Sequence, residues 1–271
     1  MASMRGAKQA ARRVANHPWA EPLMRAGFVA KGAVYAIIGV LAALAAFGSG
    51  GETTDQQGAI QRIAQLPFGR ILLGLLALGL VGYALWRLTE AIINPDGESG
   101  GKGAVKRGAY VVSAVIYAAL AAAASSLVVG SGGGGGTQDL TARVMSAPFG
   151  RALVGLAGVA IVGAGLYQFY QAYSATFREK FKLGEMSPTE ERWTVRTGRF
   201  GLAARGVVFV IIGVLVLQAA LRADPSRAQG LDGALQTLAQ QPFGQFLLGI
   251  VALGLVAYAA YMFVCARYQR I

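Results

Sequence analysis

The sequence predicts an all-α integral membrane protein, with six transmembrane helices forming three parallel-repeat hairpins and short outer interfacial helices between the spans. Three observations carry this. Of 271 residues, 55% are apolar and 14% charged, against roughly a quarter charged in soluble domains. Six uncharged runs have the length a bilayer demands, and one Pro-Phe-Gly signature recurs three times with matching flanks. The composition excludes a disordered polyelectrolyte and a disulfide scaffold. Cys265 is the single cysteine and His17 the single histidine, so neither an intrachain disulfide nor a histidine metal cluster can form. No cofactor is implied.

The uncharged runs cover 32–51, 71–86, 108–138, 152–177, 206–221 and 242–266. About 20 helical residues cross a ~30 Å hydrocarbon core, and the two shorter runs reach that length if flanking Lys31, Arg70, Arg87, Arg205 and Arg222 snorkel. Six crossings put both termini on one side, which then holds 19 of the 25 Lys and Arg. By the positive-inside rule that side is cytoplasmic. Net charge of +12 therefore reads as topology, and no basic-aromatic module points to nucleic acid. Residues 1–24 form a separate basic segment with two readings, a helix on the anionic inner leaflet or a solvated tail that sets topology.

Organisation follows the repeats: hairpin 1 over 25–96, hairpin 2 over 97–177, a basic cytoplasmic loop over 178–198, and hairpin 3 over 199–271. The signature stands at Pro67-Phe68-Gly69, Pro148-Phe149-Gly150 and Pro242-Phe243-Gly244. Proline suits a first helical turn, so the signature is expected to start the second helix of each hairpin. Nineteen residues later come Trp86, Tyr167 and Tyr261, ~28 Å away and expected as interfacial anchors. Ahead of each signature, Asp55, Asp139 and Asp232 are expected to cap short interfacial helices. The glycine run 130–136 reads as a spacer.

First helices align through Arg25, Arg107 and Arg199. Small residues recur seven apart along them, at Gly32, Gly39 and Ala46, at Ala114 and Ala121, and at Gly206, Gly213 and Ala220. Each set predicts a seam for close helix approach. Ser187-Pro188-Thr189-Glu190 predicts a capping box that starts the fifth span and partly orders the basic loop.

Arg-x-Gly-Phe-x-Ala-Lys-Gly in the first span, Ala-Arg-Gly in the fifth, and the Gly-Ala…Pro-Phe-Gly stretches of hairpins 1 and 3 resemble the bacterial family called domain of unknown function 1206. The resemblance covers about residues 22–268 and implies three paired-helix repeats in the bacterial inner membrane, without an assigned activity. The second copy departs from it, with Ser113 at the lysine or arginine position, and the third has Gln245 for arginine.

All 13 acidic residues lie in loops or near helix ends, which disfavours an enzyme and proton-coupled transport. Glu90 is expected to pair with Arg87. Lys31 and Arg205 lie about one and a half turns inside their spans, and intramembrane charges mark function unless they snorkel out. With Tyr35 and Tyr117 they form the candidate lipid- or solute-binding set: Lys31, Tyr35, Tyr117 and Arg205. The expected function is a non-enzymatic scaffold, lipid-interacting protein or accessory subunit. The alternative is a small-solute transporter or channel with a pseudo-threefold central cavity. Expected partners are anionic lipids at the cytoplasmic face and a protein bound through the 178–198 loop, with no nucleic acid.

Overall fold

The computed structural model describes residues 20–48, 53–65, 69–93, 100–129, 137–146 and 149–269. Most of the basic N-terminal segment, the glycine run 130–136, Pro67 and Pro148 lie outside them. Among the described residues there is no β-strand. The helices are α1 (Ala20–Ala46), α2 (Gln56–Ala64), α3 (Gly69–Ile93), α4 (Gly100–Val129), α5 (Thr137–Met145), α6 (Gly150–Ser174), α7 (Pro188–Arg222), α8 (Leu231–Ala239) and α9 (Gly244–Tyr268). Six of them, α1, α3, α4, α6, α7 and α9, are long and apolar enough to cross a membrane. Each overlaps one of the six uncharged runs.

The three short helices α2, α5 and α8 have nine residues each. Their starts differ. Asp55 caps α2, its Oδ1 accepting from the Gly58 N–H at 2.8 Å. In α8 the cap position is Gly230, so Asp232 is not a cap. It lies inside the first turn, where a negative charge favours the helix dipole. The side chain of Asp139 is outside the described residues.

The Pro-Phe-Gly signature works differently from the expectation. Pro242 lies in a turn ahead of α9, closed by the Gly244 N–H donating to the Gln241 carbonyl at 2.7 Å. The helix begins only at the glycine, as α3 and α6 also do. Phe149 and Phe243 take left-handed backbone, with φ of 61° and 59°, a conformation that costs a bulky residue about 1 kcal/mol or more. Glycine follows because a Cβ on Gly69 would lie 2.5 Å from the Ile63 and Ala64 carbonyl oxygens. One on Gly150 or Gly244 would strike the carbonyl of Val144 or Ala239. At Phe149-Gly150 and Phe243-Gly244 the chain therefore makes a tight corner between the short helix and the long helix after it.

The described residues fall into two compact units. Those within 1–31, 60–132 and 262–271 form one, and those within 32–59 and 133–261 form the other. In the first unit, a Cβ on Gly27 would lie 2.6 Å from the Tyr83 nitrogen, and one on Gly79 would lie 2.8 Å from the Ala26 oxygen. In the second unit the sequence-equivalent residues repeat this contact: a Cβ on Gly201 would lie 2.6 Å from the Tyr258 nitrogen, and one on Gly254 would meet Ala204 and Phe200. The backbones of α1 and α3, and of α7 and α9, touch through glycine in one register.

The small-residue seams also have partners. A Cβ on Gly213 would lie 2.7 Å from the Val162 nitrogen and 2.9 Å from the Gly158 oxygen, both on α6. A Cβ on Gly39 would lie 2.9 Å from the Val256 nitrogen and 3.0 Å from the Ala252 oxygen, both on α9. Ala220 and Ala46 continue the two seams against Gly155 and Gly249. In both cases the partner is the second helix of the repeat before, counted cyclically.

Candidate functional site

The structure gathers the four candidate residues into two pairs, Lys31 with Tyr117 and Arg205 with Tyr35. Lys31 does not snorkel. Its side chain is 2% exposed, and its ammonium donates to the Tyr83 hydroxyl at 2.8 Å. It also lies 4.5 Å from the Tyr83 ring centre and 5.0 Å from that of Tyr117. Tyr83 and Tyr117 meet edge to face at 4.5 Å, and Phe28 and Trp86 close the box around Tyr83. A desolvated cation over ring faces gains more than an exposed one. Arg87 completes the cluster, donating to the same hydroxyl from Nε at 3.0 Å and Nη2 at 2.7 Å. Its Nη1 pairs with Glu90 at 2.7 Å, the local ion pair the spacing predicts.

Arg205 occupies the corresponding place in the second unit. It is partly buried and spreads its guanidinium over three acceptors: Tyr35 Oη at 3.2 Å, Gln168 Oε1 at 3.1 Å and Tyr258 Oη at 3.3 Å. The Phe209 ring centre is 4.4 Å away. Tyr83 and Tyr258 each stand sixteen residues after their Pro-Phe-Gly proline, and Tyr117 and Tyr35 ten residues after their aligned arginines. Each cation thus sits between the second-helix tyrosine of its own repeat and the first-helix tyrosine of the next, counted cyclically. The equivalent site of the second repeat would join its Ser113 and Ala164 to Phe209 of the third repeat, residues that can form no such cluster.

Tyr83, Arg87, Gln168 and Tyr258 were not among the sequence candidates. The shared spacing of Tyr83 and Tyr258 from their prolines was the available signal. Trp86 and Tyr261, expected as anchors, are buried instead. Trp86 packs on Phe28 and Tyr83, and Tyr261 packs on Phe177 and on Phe181 of the basic loop. Tyr167 is half-exposed. The exposed aromatics of the signature are Phe149 and Phe243, at 85% and 86%.

Two of the three aligned arginines, Arg25 and Arg199, share a task. Arg25 donates to the Ala266 and Arg267 carbonyls, both at 2.6 Å. Arg199 donates to the Tyr173 carbonyl at 2.8 Å. Each caps the C-terminal end of a second helix, where carbonyls lack partners and the dipole favours cations. At the other end, Arg151 donates to the Ala220 and Leu221 carbonyls at 3.2 Å.

A profile of one family matches residues 26–94, 108–175 and 200–269, under the description Domain of Unknown Function (DUF1206). The chain belongs to this family. The three matched segments are the three repeats, and the two cation–tyrosine clusters of this DUF1206 protein draw on residues from all of them. An uncharacterized protein of Bacillus subtilis (strain 168), YxxB, is 36% identical over 254 residues, 93% of this chain and 92% of that one. No solved structure matches. Apart from the clusters, a polar hollow of about 370 Å³ is lined by Gln218, Asp224, Ser226, Arg227, Gln236 and Thr237 among others. None of the four candidate residues lines it. Among the described residues no group of three or more His, Cys, Asp or Glu could hold a metal ion.

Proposed function

We propose that this chain is a non-enzymatic integral membrane scaffold of three parallel hairpins, resident in the bacterial inner membrane with both termini cytoplasmic and in contact with anionic lipid there. The observation that carries the scaffold reading is the fate of its more buried span cation. Lys31 is buried and engaged with Tyr83 and Tyr117, so its charge serves helix packing. A solute pathway needs such a group facing water.

Two further features support the reading. Outer faces of the long helices are apolar and exposed, as at Ile71, Leu75, Leu78 and Leu85 of α3 and at Leu153, Leu156, Val159 and Leu166 of α6. Water penalises such faces and lipid does not. Close glycine contacts recur at equivalent places, which is how helices associate where the solvent is itself apolar.

The test is reconstitution of the purified chain into vesicles, with flux assays for ions and small solutes, beside crosslinking in native membrane. The expected result is no flux that depends on Lys31 or Arg205, together with a stoichiometric protein neighbour. Flux that vanishes on Lys31→Ala and Arg205→Ala would establish the transporter reading in its place. Cysteines placed at the two ends should react with impermeant reagents only from the cytoplasmic side.

A further inference from the structure

We propose that an exposed arc at the start of α7, formed by Arg192, Arg196 and Arg199 with Trp193 and Phe200, holds the phosphate of an anionic phospholipid. This rests on the membrane reading and gives its lipid contact an address.

Length comes first. α7 has 35 residues, or about 52 Å, against a ~30 Å hydrocarbon core. With Arg222 at the outer edge, roughly the first fifteen residues extend past the core into the cytoplasmic headgroup layer. The helix is rigid there because Ser187 and Glu190 close a reciprocal capping box. At 100° per residue, Arg192, Trp193, Arg196, Arg199 and Phe200 share one ~120° arc. All five are exposed, Trp193 at 61%. Thr194, Gly198, Gly201 and Leu202 on the other side are buried.

Charge comes second. The acids of this stretch are already committed, since Glu190 accepts from the Ser187 N–H at 2.8 Å and Glu191 is paired with Arg178. The arginines are not. Arg192 uses Nε on the Pro188 carbonyl at 3.2 Å and Nη2 on the Thr189 hydroxyl at 3.5 Å. Arg199 uses one Nη2 bond, to the Tyr173 carbonyl. Arg196 has no internal partner among the described residues. A guanidinium has five N–H donors in a fork that matches phosphate, so most of this donor set faces outward. Arg199 also ties the arc to the end of α6, where Tyr173 is 85% exposed. Aromatic rings flanking exposed arginines at headgroup depth suit a lipid, whose phosphate meets the guanidinium while its upper acyl segments meet the rings.

The experiment places the full chain in nanodiscs of phosphatidylcholine with a minor fraction of phosphatidylglycerol and counts co-ejected lipid by native mass spectrometry. Wild type should retain phosphatidylglycerol preferentially. Arg192→Ala and Arg196→Ala should each lower that preference about fivefold, the value of one arginine near an anionic surface. Trp193→Phe should keep it, and Arg222→Ala, at the opposite end of α7, should leave it unchanged. Undiminished preference in the Arg192→Ala/Arg196→Ala double variant overturns the site. So does displacement of the lipid by free inorganic phosphate at equal concentration, or an acidic protein found on the arc in place of lipid. A chain that fails to enter the discs overturns the membrane reading beneath it, a separate outcome.

Discussion

Lys31 and Arg205 stand at equivalent places in their repeats, yet their surroundings solve different problems. Lys31 is a compact charge. It is nearly sealed from solvent and uses one short bond to Tyr83 plus two ring faces. Arg205 is a planar fork, only partly buried, and reaches three neutral acceptors at 3.1 to 3.3 Å. An ammonium tolerates few partners if they are close, whereas a guanidinium needs several placed around it. The second repeat has Ser113 at this position, so the cation is an addition to the repeat and not a condition for its helices.

The comparison breaks most severely at the glycines that bring Tyr83 and Tyr258 to the cations. Gly27→Ala and Gly201→Ala should each cost about 3 kcal/mol, because the new methyl meets tyrosine backbone that cannot swing away. Gly74 has nothing within 4 Å of its Cβ position, so Gly74→Ala should be neutral or stabilise by up to about 1 kcal/mol. Unfolding in detergent followed by far-UV circular dichroism reads all three. Equal effects at Gly27 and Gly74 would show that the α1–α3 contact is not close.

A finer cut removes one oxygen from each cluster. Tyr83→Phe takes away the acceptor shared by Lys31 and Arg87 and should destabilise by about 2 kcal/mol. Tyr258→Phe removes one 3.3 Å bond of three and should cost under about 1 kcal/mol. Parity between the two would mean that Arg205 depends on Tyr258 as heavily as Lys31 does on Tyr83. Ser187→Ala, away from both clusters, loses the α7 cap and should cost about 1 kcal/mol, seen as faster amide exchange over the first turn.

What the sequence made legible was what depends on period and spacing. Uncharged runs, small residues seven apart and Ser-Pro-Thr-Glu each reappear as helix, seam and cap, because local chemistry decides them. The pairing of Arg205 with Tyr35 was half legible: both residues were candidates, but which cation each tyrosine meets depends on packing between elements far apart in the chain. For Lys31 the sequence leaves two readings open, a binding group or a snorkelling one, because depth along a helix carries no information on which neighbour covers it. Trp86 was read as an anchor for the same reason. Spacing places Pro242 in the first helical turn, whereas the positive φ of Phe243 moves the helix start to Gly244. A backbone corner at a residue other than glycine leaves no mark in composition.

The smallest predicted effect lies where water reaches the charges. Asp224 accepts from the Ser226 hydroxyl at 2.6 Å and from its N–H at 3.1 Å, and Arg227 Nε stands 3.1 Å from its other oxygen. The Ser226 hydrogen bonds, helped by Arg227, hold the carboxyl below the usual aspartate range despite some opposing desolvation. A carboxyl depressed in the folded state contributes stability above its unfolded value, and that contribution fades as pH falls through the lower folded one. Acidification should therefore loosen the Pro225–Arg227 turn locally, with faster exchange of the Ser226 amide, while the tyrosine-bound cations keep their geometry. Asp224→Asn should abolish the pH dependence of that amide. If acid loosened Tyr83 and Ser226 together, the sheltered cluster and the wet turn would be one titrating system, and the contrast between them would be lost.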